Sequence, residues 1–194
     1  MKKIILTLIL CFVAYSVQAE TVKFITGKPM AAGGLTCTHG SGDSGLVSHT
    51  GHSAYSSGYH SERYKGLIFT IAATTRFTSI DIWVQNGIGE AMDTTIRIET
   101  TSSGLPTNTL GNVNATKSVS VANAHDNVVS FDFDTPFELA AGTYSVTVRG
   151  TGTTLGAYLG LDSEAGHFCY SSDSGTNWAD DTGSNAYLVV YGCQ

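Results

Sequence analysis

Between residues 128 and 149 the chain alternates apolar and polar side chains in two successive runs. Val129, Phe131 and Phe133 alternate with Ser130, Asp132 and Asp134, the period of two that marks a half-buried strand. Pro136 cannot donate to a ladder, so the pattern predicts that this strand ends there, with Phe137 and Leu139 as two further apolar anchors. Ala140-Ala141-Gly142 predicts a turn, with Gly142 free to take φ > 0. Tyr144, Val146 and Val148 alternate with Ser145, Thr147 and Arg149 on the return. The two runs together predict a hairpin. Such a ribbon is marginal alone, so other strands must cover its apolar face.

Those strands are visible on either side. Residues 65–71 are apolar on both faces and predict an interior strand. Residues 79–85 turn Ile80, Ile82 and Val84 inward and Asp81, Trp83 and Gln85 to the other face. Residues 94–100 bury Ile96 and Ile98 and expose Arg97 and Glu99, and Ser103-Gly104 with Pro106 break the run. A weaker strand is expected over 117–121, and 157–161, 168–172 and 186–191 complete the set. Upstream, residues 20–65 are rich in glycine and carry His39, His49, His52 and His60. An edge strand over 22–25 and one or two short strands, including 45–49, are expected there, because long irregular loops are uncommon in compact domains. Nine or ten short strands, with turn signals about 8–12 residues apart, predict an all-β antiparallel sandwich, jelly-roll-like in plan. The expected organisation is a single domain over 20–194, with segment 20–65 packed on it.

Residues 1–19 read as a secretory signal peptide. Lys2 and Lys3 form the basic start, residues 4–13 are apolar, and Val17-Gln18-Ala19 fits the small-x-small cleavage rule. The apolar run falls short of the ~20 residues that a membrane span needs. Export to the extracellular space is expected, with the periplasm as the other compartment. Cleavage would leave 175 of the 194 residues and, with two lysines lost, move the formal net charge from −6 to −8. That balance excludes a phosphate-backbone partner and docking to an anionic membrane surface, both of which call for basic faces. Only 13% of residues are charged, which suits a β-rich secreted domain.

Three cysteines survive cleavage: Cys37, Cys169 and Cys193. Outside the cytosol they predict one disulfide and one spare thiol. Three pairings are open; Cys37–Cys193 is preferred because it would join the two ends of the mature chain.

From about residue 64 to 192, the strand 65–71, SGLPTNTLG at 103–111, PFELAAGTYSVTV at 136–148, SSDSGTNW at 171–178 and NAYLVVYG at 185–192 follow one another in a suggestive order. In that order the chain resembles bacterial extracellular β-sandwich modules of the choice-of-anchor or carbohydrate-binding-like type. The resemblance covers about two thirds of the chain and carries no catalytic motif. It implies a hairpin at L-x-A-G-T-Y and an accessory binding or surface-display role. Residues 171–178 also fit the Asp-box pattern S-x-D-x-G-x-x-W, which resembles the structural hairpins of sialidase-like propellers. A single copy implies a hairpin and gives no support for glycoside hydrolysis.

The candidate chemistry is sparse. Gly42-Asp43-Ser44-Gly45 matches the nucleophile loop of trypsin-like proteases, but no histidine and aspartate stand upstream in a matching context. His39, His49, His52, His60 and Cys37 are of the types that ligate zinc or copper, yet no second spaced pair completes a site, so solvated loop histidines are expected and no metal is assigned. Asp132 and Asp134 form an ordinary wet strand face. Asp173, Asp180 and Asp181 could gather around calcium or simply form turns. Trp83 is the informative residue, because it stands on the polar side of a strand whose apolar side is already used. A flat aromatic there suits stacking on sugar rings while Asp81 and Gln85 bind hydroxyls. Its other reading is burial beneath segment 33–63. Tyr55, Tyr59, Tyr158 and Tyr170 are candidate rim residues. The expected protein is thus a secreted, non-enzymatic module that binds a glycan or another cell-surface component, without nucleic acid, membrane insertion of the mature chain or a required cofactor. The alternative is a structural or adhesive subunit of an extracellular assembly.

Overall fold

The structure, a computed structural model, describes residues 44–50, 54–55, 58–151, 157–162, 168–181 and 183–193. Fourteen strands and no helix are found among them. In chain order they begin with β1 (Ser44–His49), β2 (Ala54–Tyr55), β3 (Tyr64–Ile71), β4 (Thr75–Asn86) and β5 (Met92–Ser102). The middle of the chain supplies β6 (Leu105–Leu110), β7 (Thr116–Val121), β8 (His125–Leu139), β9 (Gly142–Gly150) and β10 (Tyr158–Asp162). Short strands β11 (Phe168–Ser171), β12 (Ala179–Asp181) and β13 (Asn185–Ala186) lead to β14 (Leu188–Cys193).

All pairings are antiparallel and make two sheets of seven strands. One runs β1-β14-β4-β10-β13, with β2 also on β10 and β8 on the far edge of β4. The other runs β12-β11-β3-β9-β5-β6, with β7 also on β5. The alternation read from the sequence explains why the two sheets must meet. Ile80, Ile82, Val84 and Phe131 of the first sheet and Leu67, Phe69, Ile96, Ile98, Val146 and Val148 of the second are all buried in one core. Phe69 meets Phe77 edge-on at 6.2 Å, and Phe77 stacks on Phe137 at 5.6 Å, so aromatic contacts join the sheets as well as line them. The all-β sandwich predicted by the pattern is the fold observed.

The expected hairpin over 128–149 is an arch. β8 pairs with β4 in the first sheet, while β9 lies between β3 and β5 in the second. Residues 140–141 therefore carry the chain from one sheet to the other, and no ladder joins β8 to β9. The same alternation is satisfied because the two apolar faces look at each other across the core rather than lying side by side. Tyr144 fixes the arch, its hydroxyl donating to the carbonyl oxygen of Ala140 at 3.0 Å. Gly142 does not use a positive φ; a Cβ there would rest 3.4 Å from the Tyr144 ring.

Pro136 does not end its strand either. Phe77 faces Phe137 and Ser79 faces Asp132, so residues 133–136 leave the ladder opposite Thr78 and the missing N–H falls where it is broken anyway. The 103–111 segment, expected as a turn, is a hairpin followed by strand β6. Ser103 and Gly104 have φ of 51° and 79°, the all-positive conformation of a tight two-residue turn, and Pro106 sits on the edge strand opposite Thr101. β2, β6, β12 and β13 were not legible as strands because they are short or polar.

Of the glycine-rich segment, the described parts are woven into the fold. β1 completes one edge of the first sheet against β14, in the place expected for 45–49. Tyr59 is fully buried, its hydroxyl 2.9 Å from Thr94 Oγ1, so it is a core residue and not a rim residue. His60 is also buried rather than solvated, its Nδ1 accepting from the Glu62 amide. The signal peptide expected over 1–19, the strand expected over 22–25, Cys37, His39 and His52 lie outside the described residues, as do the side chains of His49 and Tyr55. Among the described residues no helix is long and apolar enough to cross a membrane. Cys169 is a free, buried thiol, whereas Cys193 is disulfide-bonded.

Candidate functional site

Asp81, Trp83 and Gln85 stand on one face of β4, as their spacing requires, and that face points away from the core. Three strands build the surface around them. β8 places Asp126 opposite Gln85, Val128 opposite Trp83 and Ser130 opposite Asp81. On the other side β10 places Tyr158 opposite Gln85, and Tyr187 lies beside Trp83 just before β14. Strand spacing near ~4.8 Å and side-chain repeats near ~7 Å make this a shallow grid about the size of two sugar rings.

Trp83 is half-buried, and its orientation is fixed. Its Nε1–H donates to Asp126 Oδ1 at 3.0 Å, and its ring meets Tyr187 edge-on with centroids 6.0 Å apart. Asp81 is held from the other end of the grid, where Tyr191 donates its hydroxyl to Oδ2 at 3.1 Å. The second carboxylate oxygen, Oδ1, is buried and receives no hydrogen bond. An unsatisfied buried acceptor of this kind costs about 1–3 kcal/mol. Burial, and behind it the Asp81 charge, raises the phenol pKa of Tyr187 and of Tyr191, so both stay protonated donors. The grid is open at one end and closed at the other: Tyr158 and Asp126 are exposed, while the outward-facing Ser79 and Val189 are buried.

The three residues singled out from the sequence are thus brought together. Asp126, Tyr187 and Tyr191 were missed. Tyr187, Val189 and Tyr191 alternate on one face of the last strand, which was a legible signal; that Asp126 reaches Trp83 depends on the β4–β8 register and was not.

A second concentration of charge lies on the outward face of the other sheet. Glu99, expected to be exposed, is fully buried there. It accepts from Arg149 Nη2 at 2.6 Å, Thr147 Oγ1 at 3.0 Å and the Asn108 amide at 2.9 Å, and Arg97 Nε lies 3.4 Å away. Arg97 and Arg149 also converge on Asn108 Oδ1, at 3.0 and 2.9 Å. The β5–β6 hairpin brings Asn108 over Glu99 and so buries what strand alternation alone would leave wet. Its carboxylate oxygens are both used, which makes the cluster a fastening.

The S-x-D-x-G-x-x-W segment forms the expected hairpin between β11 and β12. Asp173 accepts from the Asn177 amide and side chain at 2.9 and 2.6 Å and from the Ser171 hydroxyl at 2.7 Å. Those bonds, led by the Asn177 amide, hold its carboxyl at about 2. Gly175 takes a φ of 83°, and Trp178 donates to its carbonyl at 3.1 Å. Asp181 likewise serves its own turn, accepting from the Gly183 amide and the Ser184 hydroxyl. Asp134 pairs with Lys117, and Asp132 is exposed. Among the described residues, no group of three or more histidines, cysteines or acids is placed to hold a metal ion. Ser44 of the Gly-Asp-Ser-Gly run begins β1, a strand paired along its length with β14.

No protein-family model matches the chain, and no curated protein matches it at a significant level.

Proposed function

We propose that the chain is a secreted, non-catalytic binding module that takes a glycan on the outward face of β4. The observation that carries this reading is the conjunction of Trp83, Tyr158, Asp81, Asp126 and Gln85 on three adjacent strands with Tyr187 beside them. Aromatic faces meet the C–H surfaces of sugar rings, and fixed acceptors at their margin orient hydroxyls. Trp83 needs little ordering to bind, because Asp126 and Tyr187 already hold it in place. The resemblance of residues 64–192 to carbohydrate-binding-like modules and the export signal read in residues 1–19 support the same conclusion.

The groups driven furthest from their usual protonation lie elsewhere. Burial raises the Tyr59 phenol and brings the Lys65 ammonium down to about 8, while Asp173 is spent on its turn.

An assembly subunit that pairs through sheet edges fits less well. The long edge strand β8 carries Asp126, Asp132, Asp134 and Glu138, with Pro136 in a bulge, the devices by which edges are kept from pairing. A glycan array probed with the mature chain, with and without calcium, tests the main reading. Binding that is lost in Trp83→Ala is expected; no signal above background on any glycan rejects it.

A further inference from the structure

We propose that Asn86-Gly87 is a modification site that the fold keeps shut: the unfolded chain loses the Asn86 amide there, and a chain so altered no longer refolds. It is the single Asn-Gly in the sequence, the dipeptide at which the next backbone nitrogen most easily reaches the side-chain carbonyl, because glycine puts no side chain in the way. Asn86 ends β4 opposite His125 of β8, and its side chain is fully buried. Its Nδ2 donates to the carbonyl oxygens of Glu90, Val121 and Ala122 at 3.0, 2.9 and 3.1 Å, and its Oδ1 accepts from the Ile88 amide at 3.3 Å. Two connections cross between the sheets at this end, 87–91 from β4 to β5 and 122–124 from β7 to β8. This one side chain fastens both.

The reaction is a ring closure followed by hydrolysis. The Gly87 nitrogen gives its proton to a base in the solvent and attacks Asn86 Cγ; the Cγ–Nδ2 bond breaks, and the leaving nitrogen takes a proton from water and departs as ammonia. Water then opens the succinimide at either carbonyl, giving aspartate or isoaspartate. In the folded protein the amide is anchored to three carbonyls and the ladder to His125 holds the backbone extended, so Cγ is kept off the Gly87 nitrogen. The product does not fit the place it came from. Aspartate would set a buried carboxylate against three carbonyl oxygens and take away their donor. Isoaspartate would also add a methylene to the main chain where β4 pairs with β8. Unfolding that lasts long enough for this chemistry therefore removes the chain from the folding equilibrium.

The test holds the full chain folded in buffer, or unfolded in guanidinium chloride, at the same mildly alkaline pH. Peptide mapping by mass spectrometry follows residue 86, and dilution of the denaturant at intervals measures the fraction that refolds. Deamidation at Asn86 is expected to run about 10-fold or more faster in the unfolded chain, because the folded one reacts only through opening of this end of the sandwich. The refolding yield should fall as the modified fraction rises. Gly87→Ala is the control, since a Cβ at Gly87 meets nothing within 4 Å. It should fold as the native chain does, slow the deamidation and preserve the yield. Asn86→Asp, made directly, should reproduce the loss of refolding. Equal rates of deamidation in the folded and unfolded chains overturn the protection. Modified chains that refold as well as unmodified ones, or a yield that falls equally in Gly87→Ala, overturn the consequence.

Discussion

Arg149 on β9 reaches along the strand to Glu99 on β5, its Nη2 2.6 Å from Glu99 Oε1 and its guanidinium 4.4 Å above the Tyr64 ring. The pair ties β9 to β5 and, through Tyr64 and Asn108, to the start of β3 and to β6. Glu99 is fully buried, so its partners cannot be replaced by water. Glu99→Gln is expected to destabilise the fold by about 3–5 kcal/mol, because it strands two guanidiniums against a neutral side chain. The double change Glu99→Leu with Arg149→Met should recover much of that loss. Urea denaturation of the single and double variants checks the pair; additive losses would show that it is not coupled.

Asp173 predicts a pH dependence of defined sign. Its folded pKa, about 2, lies below the ordinary 3.8, so its hydrogen bonds stabilise the turn fully above about pH 4 and are lost as pH falls towards 2. Melting temperatures recorded across that window should fall more steeply for the native chain than for Asp173→Asn. Parallel curves would remove Asp173 as the origin of the slope.

Cys169 is packed against Gly66, where an added Cβ would stand 2.5 Å from the thiol sulfur and 3.2 Å from the Trp178 ring. Gly66→Ala should therefore cost about 1–3 kcal/mol, and Cys169→Ala in the same chain should return part of it. Burial pushes the Cys169 thiol up to about 12. The native protein should resist thiol reagents at pH 8 and label only on unfolding. Because the folded chain keeps this proton while the unfolded one releases it near pH 9, stability should fall as pH rises from 9 towards 12.

Cys193 is disulfide-bonded, and Cys169 is free. Cys37 is the partner expected from the sequence for a chain exported with loss of residues 1–19. Non-reducing peptide mapping of secreted material should recover a Cys37–Cys193 peptide, and reduction should cost about 2–5 kcal/mol. A mature chain retaining residues 1–19, or a linkage through Cys11, would contradict the assignment.

What the sequence determined by itself is local and periodic. Alternation in β4, β5, β8 and β9 set which side chains enter the core, because a strand turns successive residues to opposite faces whatever it pairs with. The same rule put Asp81, Trp83 and Gln85 on one outward face. The Asp-box hairpin was legible too, since all its bonds lie within a few residues. What only the tertiary structure decided is pairing. Alternation cannot distinguish a hairpin from an arch, so the runs either side of Gly142 read as neighbours although they lie in opposite sheets. It cannot foresee that Asn108 closes over Glu99, which turned a nominally wet residue into a buried one. Nor can it set the register that delivers Asp126 to Trp83. Those relations join residues far apart in the chain, and they are fixed by how the two apolar faces meet.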